Sequence, residues 1–207
     1  MAGIAFYAPM KSPNHPVPSG DRAMARGLIS ALAGGDNGQS VELVSELRCY
    51  DGKGDADTQD LLMAKAAREA ARLIDTGTWS AWVTYHNYYK APDLLGPVVS
   101  MALGIPYILL ETTRANKRLN GPWDRFARAA HAACDTADVI FYLTERDSVA
   151  LLAQKQEGQE ILPLPPFLDL ASLPEVTPRA DNIILSVGMM RQGAKFDSYR
   201  LIAEVLP

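Results

Sequence analysis

The stretch His15-Pro-Val-Pro-Ser-Gly-Asp-Arg-Ala-Met-Ala-Arg-Gly-Leu-Ile-Ser-Ala-Leu32 runs from a proline-rich loop into a predicted helix, and a short apolar strand, Gly3 to Ala8, precedes it. Gly20 stands at the turn, where Ser19 or Asp21 is suited to cap the helix through a side-chain oxygen. A strand, a glycine-containing loop and a helix N-terminus form an arrangement with which α/β proteins bind anions. An ordinary capped turn between a strand and a helix is the alternative interpretation.

The composition indicates a globular protein that is not specialised for nucleic acid. The 207 residues are 48% hydrophobic and carry a net charge of −4, a balance that argues against general nucleic-acid binding. Cys49 and Cys134 lie far apart and outside any Cys-x-x-Cys spacing, so we predict neither a disulfide framework nor a zinc site. The first residues lack the features of a secretory signal and the apolar runs are short, which predicts a cytoplasmic location.

Apolar strands alternate with helical segments along residues 1–164. We predict strands at 3–8, 41–47, 81–85, 106–110, 138–143 and 160–164, and helices at 21–33, 58–75, 92–103, 122–136 and 145–156. Continuously apolar strands separated by helices favour a parallel sheet that is covered on both faces. The predicted fold class is α/β, a doubly wound, Rossmann-like parallel sheet, with its ligand beyond the carboxyl ends of the strands. The polar loops expected at that edge are 9–20, 48–57, 86–91 and 111–119.

The character of the chain changes from Pro163 onward. Prolines are concentrated there, at positions 163, 165, 166, 174 and 178, and proline excludes both helix interiors and central strands. We predict an interdomain linker over 165–181 and the start of a second α/β domain over 182–207, with a strand at 182–188 and a helix from about Phe196 to Leu206. A single βα unit cannot bury its own apolar faces, so we expect either a longer natural protein or a partner surface that covers this unit.

Six segments occur in an order and spacing that together carry a family resemblance. They are Pro18 to Arg22, Tyr85 to Gly96, Leu109 to Arg114, Ala137 to Thr144, Leu164 to Leu170 and Ile184 to Lys195. This order resembles the N-terminal half of a retaining glycosyltransferase of the two-Rossmann-domain type, called GT-B, in the large group-1 or family-4 class. The resemblance covers the whole chain and implies a protein truncated early in its C-terminal domain.

The resemblance implies a hexosyltransferase-like enzyme that moves a sugar from a nucleotide-diphosphate sugar to an acceptor, with retention at the anomeric carbon. The implied partners are that nucleotide sugar and a carbohydrate or lipid-linked acceptor, and neither a metal nor another cofactor is implied. The donor would bind mainly to the C-terminal domain and the acceptor to the N-terminal one, so this chain would be mainly the acceptor-side half. The family's paired glutamates would lie beyond Pro207, and we expect the 207 residues alone to be inactive.

Three site residues are implied by the resemblance. The family's first-loop glycine maps onto Gly20, which would let backbone N–H groups approach the donor phosphates or the acceptor. Its strand-end histidine maps onto His86, which would hydrogen-bond the donor sugar, and its phosphate-binding lysine maps onto Lys195. The arginine expected after the Val-Gly pair is replaced by Met189, and Arg191 is the candidate substitute. Positive charges and N–H donors are the groups that departure of a diphosphate requires.

Glu111 and Arg114 end the strand that is expected beside the 86–91 loop. The Glu111 carboxylate is suited to bind acceptor hydroxyls or to act as a base, which makes it the second catalytic candidate after His86. Arg114 and Lys90 are suited to hold a charged acceptor. Ion pairing of Glu111 with Lys90 or Arg114 is the structural alternative, and such surface pairs are common and weak. A satisfied structural histidine is the alternative for His86.

A basic cluster with interleaved aromatic residues continues beyond this strand. It comprises Lys117, Arg118, Arg125 and Arg128 together with Trp123 and Phe126. The cluster is compatible with peripheral contact to an anionic membrane surface or with a lipid-phosphate acceptor. A solvated helix face is the interpretation that we favour. The aspartate-rich segment 51–60 lacks the spacing of a calcium loop, and we predict a flexible solvated loop there.

Two other functions stay open from the sequence. One is a non-catalytic α/β ligand-binding or scaffold domain, which would use the same crevice without a donor site. The other is a sugar-nucleotide epimerase, an enzyme that shares the two-domain architecture. A second α/β half with paired glutamates in the coding sequence past Pro207 would support transfer, and its absence would favour the binding domain.

Overall fold

A computed structural model of the protein describes residues 2–34, 38–168, 175, 185, 188 and 192–205. The chain divides into two compact units, Met1–Asp169 and Leu170–Pro207. The linker predicted over 165–181 and the strand predicted over 182–188 fall mostly outside the described residues, so both stay predictions. In the second unit, the helix Ala194–Val205 lies close to the predicted one.

The first unit is built on a sheet of six strands that all run parallel, in the order β2-β1-β3-β4-β5-β6. The strands are Ile4–Tyr7 (β1), Val41–Ser45 (β2), Ala81–Asn87 (β3), Tyr107–Thr112 (β4), Val139–Tyr142 (β5) and Glu160–Pro163 (β6). This sheet confirms the predicted α/β fold class, a Rossmann-like doubly wound arrangement. The strands were predictable because each is a short apolar run bounded by polar or glycine-containing segments.

Helices cover both faces of the sheet. They are Gly20–Ala33 (α1), Ala56–Thr76 (α2), Gly96–Leu103 (α3), Asp124–Thr136 (α4) and Glu145–Ala153 (α5). The second unit contains the separate helix Ala194–Val205 (α6). Phe6 and Tyr7 are neighbours on β1 and belong to different buried clusters, as alternation along a strand requires. The cluster of Phe6 packs under α1, and that of Tyr7 packs under α2, α3 and α4. No helix in the described part of the chain is both long and apolar enough to cross a bilayer.

The helix predicted from Pro92 begins later, at Gly96, because an aspartate caps it. The Oδ1 atom of Asp93 accepts hydrogen bonds from the backbone N–H groups of Leu95 (2.9 Å) and Gly96 (2.8 Å). A carboxylate at the first free N–H groups of a helix is also favoured by the helix dipole. The first turn therefore contains Pro97 rather than Pro92, and the start of α3 corrects the prediction.

Asp93 is fully buried and joins two strands to α3. Its Oδ2 atom accepts hydrogen bonds from the hydroxyls of Thr84 on β3 (2.5 Å) and Tyr107 on β4 (2.8 Å). Gly96 passes so close that a Cβ atom there would collide with Asp93 and Tyr107. Burial raises the pKa of Asp93, and its hydrogen-bond donors offset part of that rise because they stabilise the charged form. This carboxylate is a structural centre of the first unit.

The segment 51–60 is a turn over 51–55 followed by the first residues of α2, so the prediction of a flexible solvated loop is wrong for residues 56–60 and for the buried Asp51. Asp51 is 3% exposed, and its carboxylate accepts hydrogen bonds from the backbone N–H groups of residues 53–55 and from the side chain of Gln59. Burial raises the pKa of Asp51, but these donors outweigh it, and the pKa lies below its ordinary value. Among the described residues, no group of His, Cys, Asp and Glu side chains is arranged to hold a metal ion.

Replacement of Asp93 by alanine is expected to lower the free energy of unfolding by about 3 kcal/mol or more, because two backbone N–H groups and two hydroxyls lose their buried acceptor. Asp93→Asn keeps the shape and one accepting oxygen, so we expect a smaller loss. Chemical denaturation of the two variants beside the wild type measures the difference. Equal losses in the two variants would contradict the role of Asp93 as an acceptor.

Candidate functional site

The order of the strands reverses between β1 and β3. In open α/β sheets a ligand binds at such a switch point, in the crevice outside the carboxyl ends of the strands. At this edge of the first unit lie the loop 8–19, which follows β1, and the residues that end β3. Gly20 and His86, two of the predicted site residues, are therefore at the switch point.

Strands β3 and β4 carry a matched backbone distortion at their carboxyl ends. His86 has a φ angle of 68° and Glu111 a φ angle of 57°, in the left-handed region that residues with a Cβ atom rarely adopt. The two residues face each other, since the residues on either side of them are paired in register. A left-handed conformation costs roughly 1–2 kcal/mol per residue, so the surrounding structure imposes it on both catalytic candidates.

The distortion turns Tyr85 and Asn87, which are two residues apart on β3, to opposite faces of the sheet. Tyr85 packs in the cluster under α1, whereas the amide of Asn87 donates a hydrogen bond to the Ala130 carbonyl of α4 (3.1 Å). Residues two apart in a regular strand share one face, so His86 occupies an extra position between them. The Asn87 side chain also accepts a hydrogen bond from the N–H group of Asp93 (2.9 Å), which links the distortion to the buried carboxylate.

His86 lies against the first turn of α1. Its Nδ1 atom is 3.3 Å from Oδ1 of Asp21. Nδ1 is buried and has no hydrogen bond of regular geometry in the described part of the chain, so its contact with Asp21 is electrostatic. His86 nevertheless lowers the pKa of Asp21 below its ordinary value, which keeps that carboxylate ionised at neutral pH. The imidazole also packs against the rings of Tyr85 and Tyr88, whose centres are 5.7 and 4.9 Å away.

Glu111 lies half-buried at the end of β4, beside the hydroxyl of Tyr85. Burial raises the pKa of Tyr85, and the Glu111 carboxylate raises it further. The hydroxyl therefore stays protonated and is available to donate to the carboxylate. The alternative that the sequence left open was an ion pair of Glu111 with Lys90 or Arg114. Neither forms among the described contacts, where Arg114 pairs elsewhere.

The Arg114 side chain is buried and extends to α4 and α5 rather than into the crevice. Its Nη2 atom lies 2.6 Å from Oδ1 of Asp135, and the guanidinium also donates to the side chain and the carbonyl of Gln154. An arginine held in this way stabilises the packing of the two helices. This placement does not support the acceptor-binding role that the sequence predicts for Arg114.

The predicted basic cluster is interrupted by acidic partners. Arg125 pairs with Asp60, and the Nε atom of Arg128 lies 2.8 Å from Oδ2 of Asp124. Phe126, which was predicted to interleave with these side chains, is fully buried in the core. The exposed face of α4 is therefore neutralised rather than cationic, and a continuous surface for an anionic membrane is not formed there.

Lys90 and Arg118 instead lie over aromatic rings. Lys90 Nζ is 5.8 Å from the ring centre of Tyr89 and 5.3 Å from that of Trp123. The corresponding distances of Arg118 Cζ are 4.8 and 5.5 Å. Neither cation forms an ion pair with an acidic residue of the described part. The position of Lys90 is therefore compatible with its predicted role in holding a charged acceptor, which stays a prediction.

Gly20 opens α1, and Ser19 rather than Asp21 provides the cap. The Ser19 hydroxyl accepts a hydrogen bond from the N–H group of Arg22 (3.3 Å). Gly20 is exposed, and a Cβ atom there would meet open space, so packing does not require glycine. The ionised Asp21 lies in the same helical turn and disfavours a phosphate at this end, because like charges repel. Approach of an acceptor to Gly20 stays a prediction.

The two cations that were predicted to bind donor phosphates belong to the second unit. Arg191 lies outside the described residues. The backbone of Lys195 is part of α6, but its side chain is not among the described ones. Their assignment to the donor phosphates stays a prediction.

Two features of the site could not be predicted from the sequence. Asp21 was considered only as a helix cap, and no local pattern relates it to His86, which is far away in the chain. The rings of Tyr88, Tyr89 and Trp123 also come together beside His86. The run of tyrosines after β3 was the available sequence signal for this second feature. Nothing in the sequence showed that Trp123, on the loop after β4, would contact these tyrosines.

Comparisons with known proteins add little to this geometry. No family model matches the sequence, and no curated protein matches it. Among solved structures, one match is a UDP-glucosyltransferase from Polygonum tinctorium capable of glucosylating indoxyl, in complex with 3,4-dichloroaniline. The TM-score is 0.44 at 12% identity, over 87% of this chain and 56% of that one. The chain thus spans about half the length of that neighbour, and a similarity this low carries no argument.

The left-handed backbone at position 86 predicts an unusual order of variant stabilities. Glycine adopts this region without a Cβ penalty, so we expect His86→Gly to be more stable than His86→Ala by about 1 kcal/mol. At Ala81, a regular position of β3, we expect Ala81→Gly to be less stable than the wild type by about 0.5–1 kcal/mol. Urea denaturation of the variants tests both; the same order of glycine and alanine at the two positions would be inconsistent with the distortion.

The contact between His86 and Asp21 predicts a pH dependence. In a ¹³C NMR titration the pKa of the Asp21 carboxyl should lie below 3.8, the ordinary aspartate value, and this pKa should rise in His86→Ala. A depressed folded-state pKa contributes stability above the unfolded pKa, and that contribution is lost as the pH falls through the folded pKa. The stability difference between the wild type and Asp21→Asn should therefore narrow below about pH 4. An Asp21 titration that His86→Ala leaves unchanged would refute the contact.

Proposed function

We propose that this chain supplies the acceptor-side α/β domain of a retaining glycosyltransferase that uses a nucleotide-diphosphate sugar. The observation that supports the proposal most directly is the pair of left-handed residues, His86 and Glu111, at the ends of β3 and β4. Imposed backbone strain concentrates at functional sites, and this pair lies beside the switch point of the sheet, where α/β proteins bind ligands.

The side chains at this edge suit the recognition of sugar hydroxyls. Imidazole nitrogens and carboxylate oxygens are hydrogen-bonding groups for hydroxyls, and the two residues offer one of each kind. Asp21 faces Nδ1 of His86, which leaves Nε2 as the nitrogen for a ligand. We assign His86 to the donor sugar, as the sequence resemblance implies, and Glu111 to a hydroxyl of the acceptor.

The donor phosphates are assigned to the second unit. The leaving diphosphate needs cations or N–H donors where negative charge develops, and Lys195 and Arg191 are the candidates from the sequence resemblance. The ionised Asp21 argues against a phosphate beside Gly20, so we place the acceptor rather than the donor at the start of α1. In this assignment the 207 residues need a complete second α/β domain for transfer.

A non-catalytic ligand-binding domain is the second candidate. The observation that favours it is the ionised Asp21 carboxylate, which disfavours a donor diphosphate at the switch point of the described unit. Such a domain would still bind a hydroxyl-rich ligand through His86 and Glu111. The two candidates differ in whether His86 changes turnover or only binding.

In the protein with its complete second domain, we expect His86→Ala and Glu111→Gln each to lower sugar transfer from UDP- or GDP-sugars by about 100-fold, because misplaced substrates react far more slowly. Release of the free nucleotide measures turnover. Arg128→Gln serves as a control, since this exposed arginine pairs with Asp124 and contacts neither His86 nor Glu111 among the described residues. Unchanged turnover in both site variants, with folding intact, would remove the site assignment, and ligand binding without any turnover would favour the second candidate.

A further inference from the structure

A row of four rings leads away from His86 along the carboxyl edge of the sheet. The members of this aromatic row are His86, Tyr88, Tyr89 and Trp123, and successive ring centres are 4.9, 5.6 and 5.7 Å apart. The three aromatic residues after His86 are half-buried, so each ring keeps part of its surface open. The loops after β3 and β4 contribute to the row, which joins a catalytic candidate to the far end of the site.

Two cations lie at the far end of the aromatic row. Lys90 and Arg118 both approach the rings of Tyr89 and Trp123, and a contact of this kind is worth about 0.5–1 kcal/mol at an exposed site. A ring attracts a cation without cancelling its charge. The Nε atom of Arg118 is moreover buried and has no hydrogen-bond partner in the described part of the chain. The guanidinium therefore carries an unused donor as well as an unpaired charge.

The neighbouring arginines on α4 differ from these two cations. Arg125 and Arg128, on the adjacent helix, are each neutralised by an aspartate. Lys90 and Arg118 come from different loops and converge on the same two rings. A surface whose only requirement was solubility would not need this convergence, whereas a binding site for an anion would.

The aromatic row and the cations together select one chemical class of ligand. A sugar ring presents flat faces of C–H groups that pack on aromatic rings, and aromatic side chains with a polar tip are favoured at such binding surfaces. A carboxylate or phosphate on that sugar would meet Lys90 and the guanidinium of Arg118 in charge-assisted hydrogen bonds. A lipid surface is disfavoured, because the neutralised face of α4 adds no cations and Phe126 is buried.

We propose that the aromatic row and the pair Lys90–Arg118 form a subsite for an anionic saccharide. The charged group of the ligand lies at Lys90 and Arg118, and its sugar rings lie along Tyr89 and Tyr88 towards His86. The role of this ligand as the acceptor rests on the proposed function, and the binding itself does not. The inference makes Lys90 a specificity residue and adds Arg118, Tyr89 and Trp123 to the site.

The test is a titration of the 207-residue protein with glucose, glucuronic acid, glucose 6-phosphate and inorganic phosphate. NMR chemical shifts measure the affinity for each ligand. We expect at least one of the two anionic sugars to bind about 10-fold or more tightly than glucose and more tightly than phosphate, because both rings and cations contribute. The carboxylate and phosphate arms show which anion is preferred. Lys90→Gln and Arg118→Gln should each remove most of the gain over glucose, and Trp123→Leu should weaken all three sugars.

Lys117→Gln is the matched control, since Lys117 is exposed beside Arg118 but lies over neither ring. An equal loss in Lys117→Gln and Lys90→Gln would overturn the proposal in favour of diffuse surface charge. Equal affinity for glucose and both anionic sugars would also overturn it, as would equal affinity for phosphate and glucose 6-phosphate. If Arg118→Gln fails to fold, Lys90→Gln alone decides.

A membrane ligand is a separate outcome of the same experiment. Vesicles of phosphatidylglycerol that bind the wild type and lose binding in Lys90→Gln, while the anionic sugars do not bind, would assign the subsite to a lipid surface and refute the proposal. No donor and no turnover enter these measurements. Failure to bind sugars would therefore leave the transfer experiment standing, and absence of transfer would leave the subsite standing.

Discussion

A single buried carboxylate, that of Asp93, connects the core of the first unit to its functional edge. The carboxylate accepts hydrogen bonds from β3, β4 and the start of α3. The backbone N–H group of Asp93 donates to the side-chain oxygen of Asn87. Asn87 in turn donates to Thr112 (2.8 Å), directly after the two left-handed residues. The strained backbone of the site is thus fixed by bonds on the far side of the sheet, where no ligand can compete for them.

Charge is distributed over this edge in two ways. Arg114, Arg125 and Arg128 are each matched by an aspartate, and they serve packing or solubility. Lys90 and Arg118 are matched by rings, which orient a cation and leave its charge available. Sequence composition cannot separate these groups, because Asp135 and Asp60 reach Arg114 and Arg125 only through the fold. The difference arises from the partners that tertiary structure brings near.

The elements were predictable because apolar periodicity is a local property of the sequence. Strands such as β1 are short apolar runs that are buried throughout, and α2 shows a helical repeat. The start of α3 was not predictable, since Pro92 suits a first helical turn equally well and the cap depends on Asp93. The direction of Arg114 was also hidden, because its partners Asp135 and Gln154 are distant in the chain. Positions 86 and 111 were predicted as site residues, but the left-handed backbone conformation that both adopt was not predicted.

The indole of Trp123 has a consequence for the thermodynamics of recognition. Its N–H group donates to the carbonyl of Asp51 (3.0 Å), and the Asp51 carboxylate fixes the turn that follows it. The Trp123 ring of the aromatic row is therefore held in place before a ligand binds, and little loop entropy would be lost on binding. A small, rigid saccharide would then retain most of its contact energy as affinity.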